Sequence, residues 1–142
     1  MSFNIYLTFD GDCEEAFDYY KSVFGGEFAV RQRFSDGPQE MVGVAEDEQN
    51  RIMHVSLPVG DNVLMGSDTA QGHAGPLVKG NNFSISFTPS SRTEADAAFD
   101  KLKDGGKDTM PMQETFWGSY FGMVTDRYGV QWMINMDANG AG

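Results

Sequence analysis

Residues 4–26 read NIYLTFDGDCEEAFDYYKSVFGG, and this stretch decides the fold because its pattern returns later in the chain. A β-rich run at residues 4–9 is stopped by Asp-Gly-Asp. Asp12 is then predicted to cap a helix, with Glu15 at the third helical position completing a capping box. The apolar residues that follow share one helical face. Gly25-Gly26 predicts the end of the helix, because glycine adopts the left-handed conformation there without a steric penalty.

The second copy of this pattern begins at residue 82 with the run NFSISF. Ser91 and Glu94 repeat the capping pattern, an apolar face follows, and Gly105-Gly106 closes the helix. One such similarity would be weak. Strand, cap, apolar face and glycine pair recurring in the same order after about eighty residues indicate an internal duplication.

Three strand-like runs follow each predicted helix. They cover residues 27–34, 51–59 and 62–67 in the first half, and lie near 107–113, 117–125 and 130–136 in the second. Gly60–Asn62 is a tight-turn sequence, which favours a hairpin between the last two runs of the first half. Each half is therefore predicted to be βαβββ. The whole chain, 1–142, is predicted to be one domain made of module 1–67, linker 68–81 and module 82–142.

The charge of the chain argues against a nucleic-acid partner. Its 10 Lys and Arg face 21 Asp and Glu, the formal net charge is -11, and the basic residues do not cluster in the sequence. Nucleic-acid binders gain most of their affinity from phosphate neutralisation. No apolar run is long enough to span a bilayer, and the N-terminus lacks a leader pattern. The single cysteine allows no internal disulfide, so we expect no membrane partner and a cytoplasmic location.

Three stretches resemble one known family. They are YLTFDGDCEEAFDYYKSVFGG (6–26), IMHVSLPVGDNVLMGSD (52–68) and ETFWGSYFGMVTDRYGVQWMIN (114–135). Two βαβββ modules resemble the vicinal oxygen chelate superfamily of glyoxalase I, bleomycin- and fosfomycin-resistance proteins and extradiol dioxygenases. The three stretches resemble its PhnB-like branch, also called 3-demethylubiquinone-9 3-methyltransferase-like. The resemblance implies an α+β fold in which two βαβββ modules form a half-open cup, and it implies a homodimer.

The metal site of the superfamily is not expected in this chain. Its chelating enzymes hold a divalent metal with residues of the first and last strand of each module, usually His or Gln and Glu. The corresponding positions here fall near Ile5, Met65, Phe83 and Met133. None of these is a hard ligand, and a thioether suits soft metals only. We expect no other cofactor either, because no strand–GxGxxG–helix pattern supports the methyltransferase label.

His54 and Glu114 are the candidate catalytic residues. His54 lies within the run 51–59 and matches a His of the PhnB-like pattern, and an imidazole ring can polarise a carbonyl or take up a proton. The alternative is a structural strand histidine. Glu114 precedes an aromatic run and is the predicted pocket carboxylate, the alternative being a solvated loop acid. Paired modules could bring the two into one cup as a general acid/base pair.

Three other polar residues receive structural interpretations. Cys13 begins a predicted helix, where the dipole favours a thiolate. The neighbouring acidic residues oppose that effect, and no triad-like spacing supports a nucleophile. Asp68 and Asp126 follow strands and are predicted to form turns, because aspartate side chains bond to nearby backbone N–H groups.

The aromatic stretch ETFWGSYFG, residues 114–122, suggests a pocket wall. We predict that Trp117, Tyr120 and Trp132 form apolar walls, since small-molecule pockets combine such walls with a few polar groups. The predicted function is binding of a small, partly apolar molecule in a metal-free cup. One alternative is a lyase- or isomerase-type enzyme acting on a small carbonyl compound, metal-dependent or using His54 and Glu114. The other is a structural dimer whose cup is filled by its own side chains.

Overall fold

The computed structural model describes residues 1–37, 44–70 and 76–137. The chain divides into two compact units, Met1–Val78 and Lys79–Gly142. Their boundary falls inside the predicted linker 68–81, of which residues 71–75 lie outside the described part.

In the described residues each unit contains one α-helix and one four-stranded sheet, and the first unit also has two short 3-10 helices, Phe34–Asp36 and Glu46–Glu48. The elements of the first unit are β1 (Ile5–Phe9), α1 (Cys13–Phe24), β2 (Val30–Arg33), β3 (Ile52–Val59) and β4 (Asn62–Asp68). Those of the second unit are β5 (Ile85–Phe87), α2 (Arg92–Lys103), β6 (Lys107–Glu114), β7 (Ser119–Thr125) and β8 (Gln131–Asp137). Neither α-helix found in the described residues is long and apolar enough to cross a membrane.

The two sheets have the same topology. Their strand orders are β1-β4-β3-β2 and β5-β8-β7-β6, with the first pair parallel and the others antiparallel in each sheet. Within the described residues neither strand order closes on itself, so each sheet keeps two open edges. The predicted duplication of a βαβββ unit and the α+β fold class are confirmed.

Each helix covers one face of its sheet. In the first unit, Phe17 of α1 is buried against β4 at Gly66, where an added Cβ would lie 2.6 Å from the Phe17 ring. Leu7 and Phe9 of β1 are buried on the same side. Tyr6, the residue before Leu7, points the other way, because side chains alternate along a strand. We call the side away from the helix the helix-free face of each sheet.

The two helix caps differ from one another. As predicted, Ser91 Oγ accepts a hydrogen bond from the Glu94 backbone N–H at 3.1 Å. The capping box predicted for α1 is wrong, because the Asp12 side chain makes no cap hydrogen bond. A carboxylate from β4, remote in sequence, accepts hydrogen bonds at the start of this helix instead.

That remote carboxylate is Asp68, at the end of β4. Its Oδ1 accepts hydrogen bonds from the backbone N–H groups of Gly11 at 2.8 Å and Cys13 at 3.0 Å, and its Oδ2 accepts one from Ile52 at 2.9 Å. The side chain is 5% exposed. The prediction that Asp68 forms a local turn is therefore wrong, since its partners belong to the start of α1 and the start of β3.

Asp126 does form the predicted turn. Its Oδ1 accepts from the backbone N–H groups of Tyr128 at 2.8 Å and Val130 at 3.0 Å, between β7 and β8. Its Oδ2 also accepts from the indole N–H of Trp132 at 2.9 Å. One buried carboxylate thus fixes the turn and a core side chain together.

Candidate functional site

A stacked aromatic pair lies on the helix-free face of the first sheet. The rings of Tyr6 on β1 and His54 on β3 have centroids 5.7 Å apart and planes 17° apart. Tyr6 Oη lies 3.3 Å from His54 Nδ1, and the tautomer of the imidazole sets which of them donates the hydrogen bond. Within the described residues His54 Nε2 has no hydrogen-bond partner. The pair therefore presents a flat π surface with a polar edge.

The neighbours of this pair are a thioether, a hydroxyl group and a side-chain amide. Strand register places Met65 of β4 beside Tyr6 on one side and beside Ser56 of β3 on the other. Gln32 of β2 lies opposite His54. Tyr6 itself is 49% exposed, although it stands on a sheet face. Such a mixed, accessible surface suits a ligand that is partly apolar and has a hydrogen-bonding group.

Glu114 and Tyr120 lie on the α2 side of the second sheet. Arg92 of α2 contacts both, with its Nη2 2.5 Å from Glu114 Oε1 and its guanidinium 4.4 Å from the centre of the Tyr120 ring. The Tyr120 hydroxyl donates to Asp96 Oδ1 at 2.5 Å, and this bond is the main reason that the Tyr120 pKa is raised. His54 stands on a helix-free face instead. His54 and Glu114 belong to different units, and their pairing as acid and base stays a prediction, as does the role of Tyr120 as a pocket wall.

Trp117 occupies the tip of a hairpin and not the start of β7. The backbone N–H of Gly118, at φ +89°, donates to the Thr115 carbonyl at 3.1 Å, and β7 begins only at Ser119. Trp117 is 58% exposed and makes an edge contact with Phe121 at 6.2 Å between centroids. Phe121 lies on the helix-free face of the second sheet, because its strand neighbours face α2. Trp117 thus extends that face as accessible aromatic surface.

Trp132 belongs to the core of the second unit. It is 3% exposed, and its indole N–H donates a hydrogen bond to Asp126. Its ring also meets Phe87 edge-on at 6.1 Å. The alternation along β8 turns Trp132 towards α2 and its neighbour Met133 towards the helix-free face. Almost no surface of Trp132 is left for a ligand in this structure.

Cys13 is unsuited to nucleophilic chemistry. It is fully buried, and burial raises the pKa of its thiol far above the ordinary value, with a further contribution from the Asp68 carboxylate. Because the thiolate is the reactive form, the buried thiol is inert near neutral pH.

The helix-free faces do not fit the metal site of the chelating enzymes. In strand register Tyr6 lies beside Met65, and Ser86 lies beside Met133. Phenol, hydroxyl and thioether groups do not make the His, Gln and Glu set that a divalent metal requires there. In the part of the chain that the structure describes, no three His, Cys, Asp or Glu side chains are grouped so as to hold a metal ion.

The fold agrees with the comparisons with known proteins. The model of the Glyoxalase/Bleomycin resistance protein/Dioxygenase superfamily matches residues 2–134, and the chain belongs to this superfamily. Protein YjdN of Escherichia coli (strain K12) is 34% identical over 140 residues, covering 96% of this chain and 95% of that protein.

Solved structures give the same result. Protein PA1353 from Pseudomonas aeruginosa is 39% identical with a TM-score of 0.84, covering 96% of this chain and 98% of its own. A PhnB protein from Bacillus cereus is 24% identical with a TM-score of 0.74, covering 94% and 98% respectively. The resemblance to the superfamily that the sequence indicated is confirmed, and the PhnB protein shares its fold.

Proposed function

We propose that this protein binds a small, partly apolar molecule on the helix-free face of its first sheet, with Tyr6 and His54 orienting it. The observation that carries the proposal is the stacked and hydrogen-bonded pair that these two side chains form in an accessible position. An aromatic ring on a sheet face is normally buried by a covering layer, because removing apolar area from water is favourable. A flat ligand that stacks on the pair would supply that cover.

The polar edge of the pair further restricts the chemical class of ligand that can bind. His54 Nε2 can donate or accept a hydrogen bond, depending on the tautomer, while Nδ1 is engaged by Tyr6. A small aromatic or conjugated molecule with a carbonyl group satisfies both the π surface and this polar edge. The proposed cup is metal-free.

Tyr6→Phe and His54→Gln should each weaken binding of such a ligand about tenfold, because each removes one hydrogen bond worth about 1.5 kcal/mol when a polar partner is left unpaired. A thermal-shift screen of small aromatic and carbonyl compounds supplies the ligand, and calorimetric titration of the variants gives the affinities. The unfolding midpoint without ligand should change little, since the hydrogen bond between the two side chains is exposed.

Tyr19→Phe is the matched control for this prediction. Tyr19 lies on α1, on the covered side of the same sheet, and the change again removes one phenol oxygen. Equal loss of affinity in Tyr19→Phe and Tyr6→Phe would contradict the proposed location. So would a ligand whose binding is indifferent to both Tyr6 and His54.

The hydrogen bond between Tyr6 Oη and His54 Nδ1 favours a second candidate, an enzyme of the lyase or isomerase type. It fixes the imidazole so that Nε2 could exchange a proton with the carbon next to a bound carbonyl group. Deuterium uptake by the bound compound from heavy water, lost in His54→Gln while binding persists, would distinguish this activity from simple binding.

We further propose a homodimer and a cytoplasmic location. The dimer rests on the family resemblance and on the open edges of both sheets, which proteins protect by pairing or covering them. The location rests on the single cysteine.

A further inference from the structure

A basic depression lies in the second unit, at the end of β7 opposite the aromatic hairpin. It has a volume of about 610 Å³ and is lined by the turn after α2 and the turn between β7 and β8. Lys79, Lys107 and Arg127 all line it. Three of the 10 basic residues of a chain with net charge -11 therefore meet at one place, although they are far apart in sequence.

Lys79 is held in this depression by backbone atoms. Its Nζ donates to the carbonyl of Tyr128 at 3.0 Å. Its stem crosses Gly129, where an added Cβ would lie 3.3 Å from Lys79 Cδ, and Gly129 has φ +87°. The glycine both makes the turn and leaves room for the lysine.

Arg127 is held in the same way on the other side. Its Nε and Nη2 donate to the carbonyl of Asp104 at 3.2 and 2.9 Å. An added Cβ at Gly105, which has φ +77°, would lie 3.0 Å from Arg127 Nε. A carbonyl group is neutral overall, so these bonds position the cations without cancelling their charge.

Two carboxylates lie near these cations. Asp104 is 3.3 Å from Arg127 Nη2, but its side chain is 81% exposed, so water and salt screen the pair. Asp126 also lines the depression; its oxygens accept from three N–H groups, and in the described part of the chain it forms no ion pair with either lysine. Lys107 forms no ion pair among the described residues, and Lys79 has only the Tyr128 carbonyl. In the first unit, by contrast, each of four basic side chains has a carboxylate partner: Lys21, Arg31, Arg33 and Arg51.

We propose that this depression binds a small phosphate-bearing molecule, with Lys79, Lys107 and Arg127 as its cationic contacts. A dianionic phosphate can engage two ammonium groups and a guanidinium at once, and charge-assisted hydrogen bonds to such groups are the stronger kind. Thr109 and Thr125 place hydroxyl groups in the same lining. The volume leaves space for an organic part beside the phosphate. The net charge of the whole chain opposes a nucleic acid as the occupant.

The test is a titration with pyrophosphate and with glycerol 3-phosphate, followed by amide shifts and by the unfolding midpoint at constant ionic strength. Saturable binding that shifts the amides of Gly105 and Gly129 supports the proposal. The double variant K79Q/K107Q should weaken binding at least about tenfold, since two charge-assisted contacts are lost. Both lysines are exposed and glutamine keeps a donor, so the variant should fold normally.

K101Q/K103Q on α2 is the matched control, because it removes the same charge from the same unit without touching the lining of the depression. The affinity of this control variant for the two phosphate compounds should stay within about twofold of that of the unchanged protein, as expected for screened surface charge. The proposal fails if both double variants lose equal affinity, or if neither phosphate compound binds. It also fails if malonate binds more tightly than the phosphates, or if only a single-stranded oligonucleotide binds.

Discussion

Replacing Asp68 by alanine should lower the free energy of unfolding by about 3–5 kcal/mol, the range seen when one partner of a buried charged interaction is removed. The carboxylate accepts from Gly11, Cys13 and Ile52, all backbone N–H groups near the start of α1 or β3. Alanine leaves these donors without an acceptor in an interior that water does not reach, and each unsatisfied buried group carries its own desolvation cost. Urea unfolding, followed by circular dichroism, measures the loss.

Asp12→Ala is the decisive comparison. The sequence places the helix cap at Asp12, and loss of a true cap costs about 1 kcal/mol. Because Asp12 makes no side-chain cap bond in the structure, its replacement should cost less than Asp68→Ala by several-fold. Asp61→Ala, in the exposed turn between β3 and β4, controls for the lost charge alone. A larger loss in Asp12→Ala than in Asp68→Ala would restore the local cap and contradict this assignment.

The same residues show which features of this fold could be predicted from sequence patterns and which could not. Strands, helices and the duplication follow from periodicity and glycine pairs, which are local properties, and these predictions are confirmed. The carboxylate that binds the start of α1 is not local, since Asp68 and Gly11 lie 57 positions apart. A Ser/Thr/Asp/Asn–x–x–Glu pattern allows a capping box but cannot exclude a competing acceptor from another strand. Only the parallel pairing of β1 with β4 brings Asp68 to the helix.

The candidate site was predicted in part. His54 was identified, and its partner Tyr6 was missed because the first-strand position was placed at Ile5. In β1 the apolar residues Leu7 and Phe9 alternate with Tyr6 and Thr8. This alternation carried the information that Tyr6 faces away from the helix. What the sequence could not supply was the sheet order, which sets β4 between β1 and β3 and leaves the two long side chains to meet across it.

The strand predicted near 117–125 begins two residues later in the structure, for a physical reason. Gly118, with φ +89°, turns the backbone, so β7 begins only at Ser119. Trp117 still contacts Phe121, while Tyr120 faces Arg92 and α2. The basic depression had no sequence pattern at all, because the turns after α2 and β7 assemble it from distant residues.

Truncation of the two tryptophans should affect stability to very different extents. Trp132→Ala should cost about 3–5 kcal/mol of stability, because it empties a buried aromatic site. It also removes the indole donor of Asp126, whose carboxylate is buried. Trp117→Ala should change stability by less than about 1 kcal/mol, as is usual for an exposed residue. Urea unfolding of both variants gives the two values on one scale.

Fluorescence of single-tryptophan proteins tests the same assignment without relying on stability. In the Trp117→Phe protein the remaining Trp132 is 3% exposed, so its emission should be blue-shifted and acrylamide should quench it little. In the Trp132→Phe protein the remaining Trp117 is 58% exposed, so acrylamide should quench it readily. Phenylalanine keeps most of the core volume, which lets the second protein fold even though the indole bond is lost. Equal quenching in the two proteins, or a severe loss of stability in Trp117→Ala, would show that the hairpin tip is covered in solution. A covered tip would in turn remove Trp117 from the surface available to a ligand and make it part of an interface.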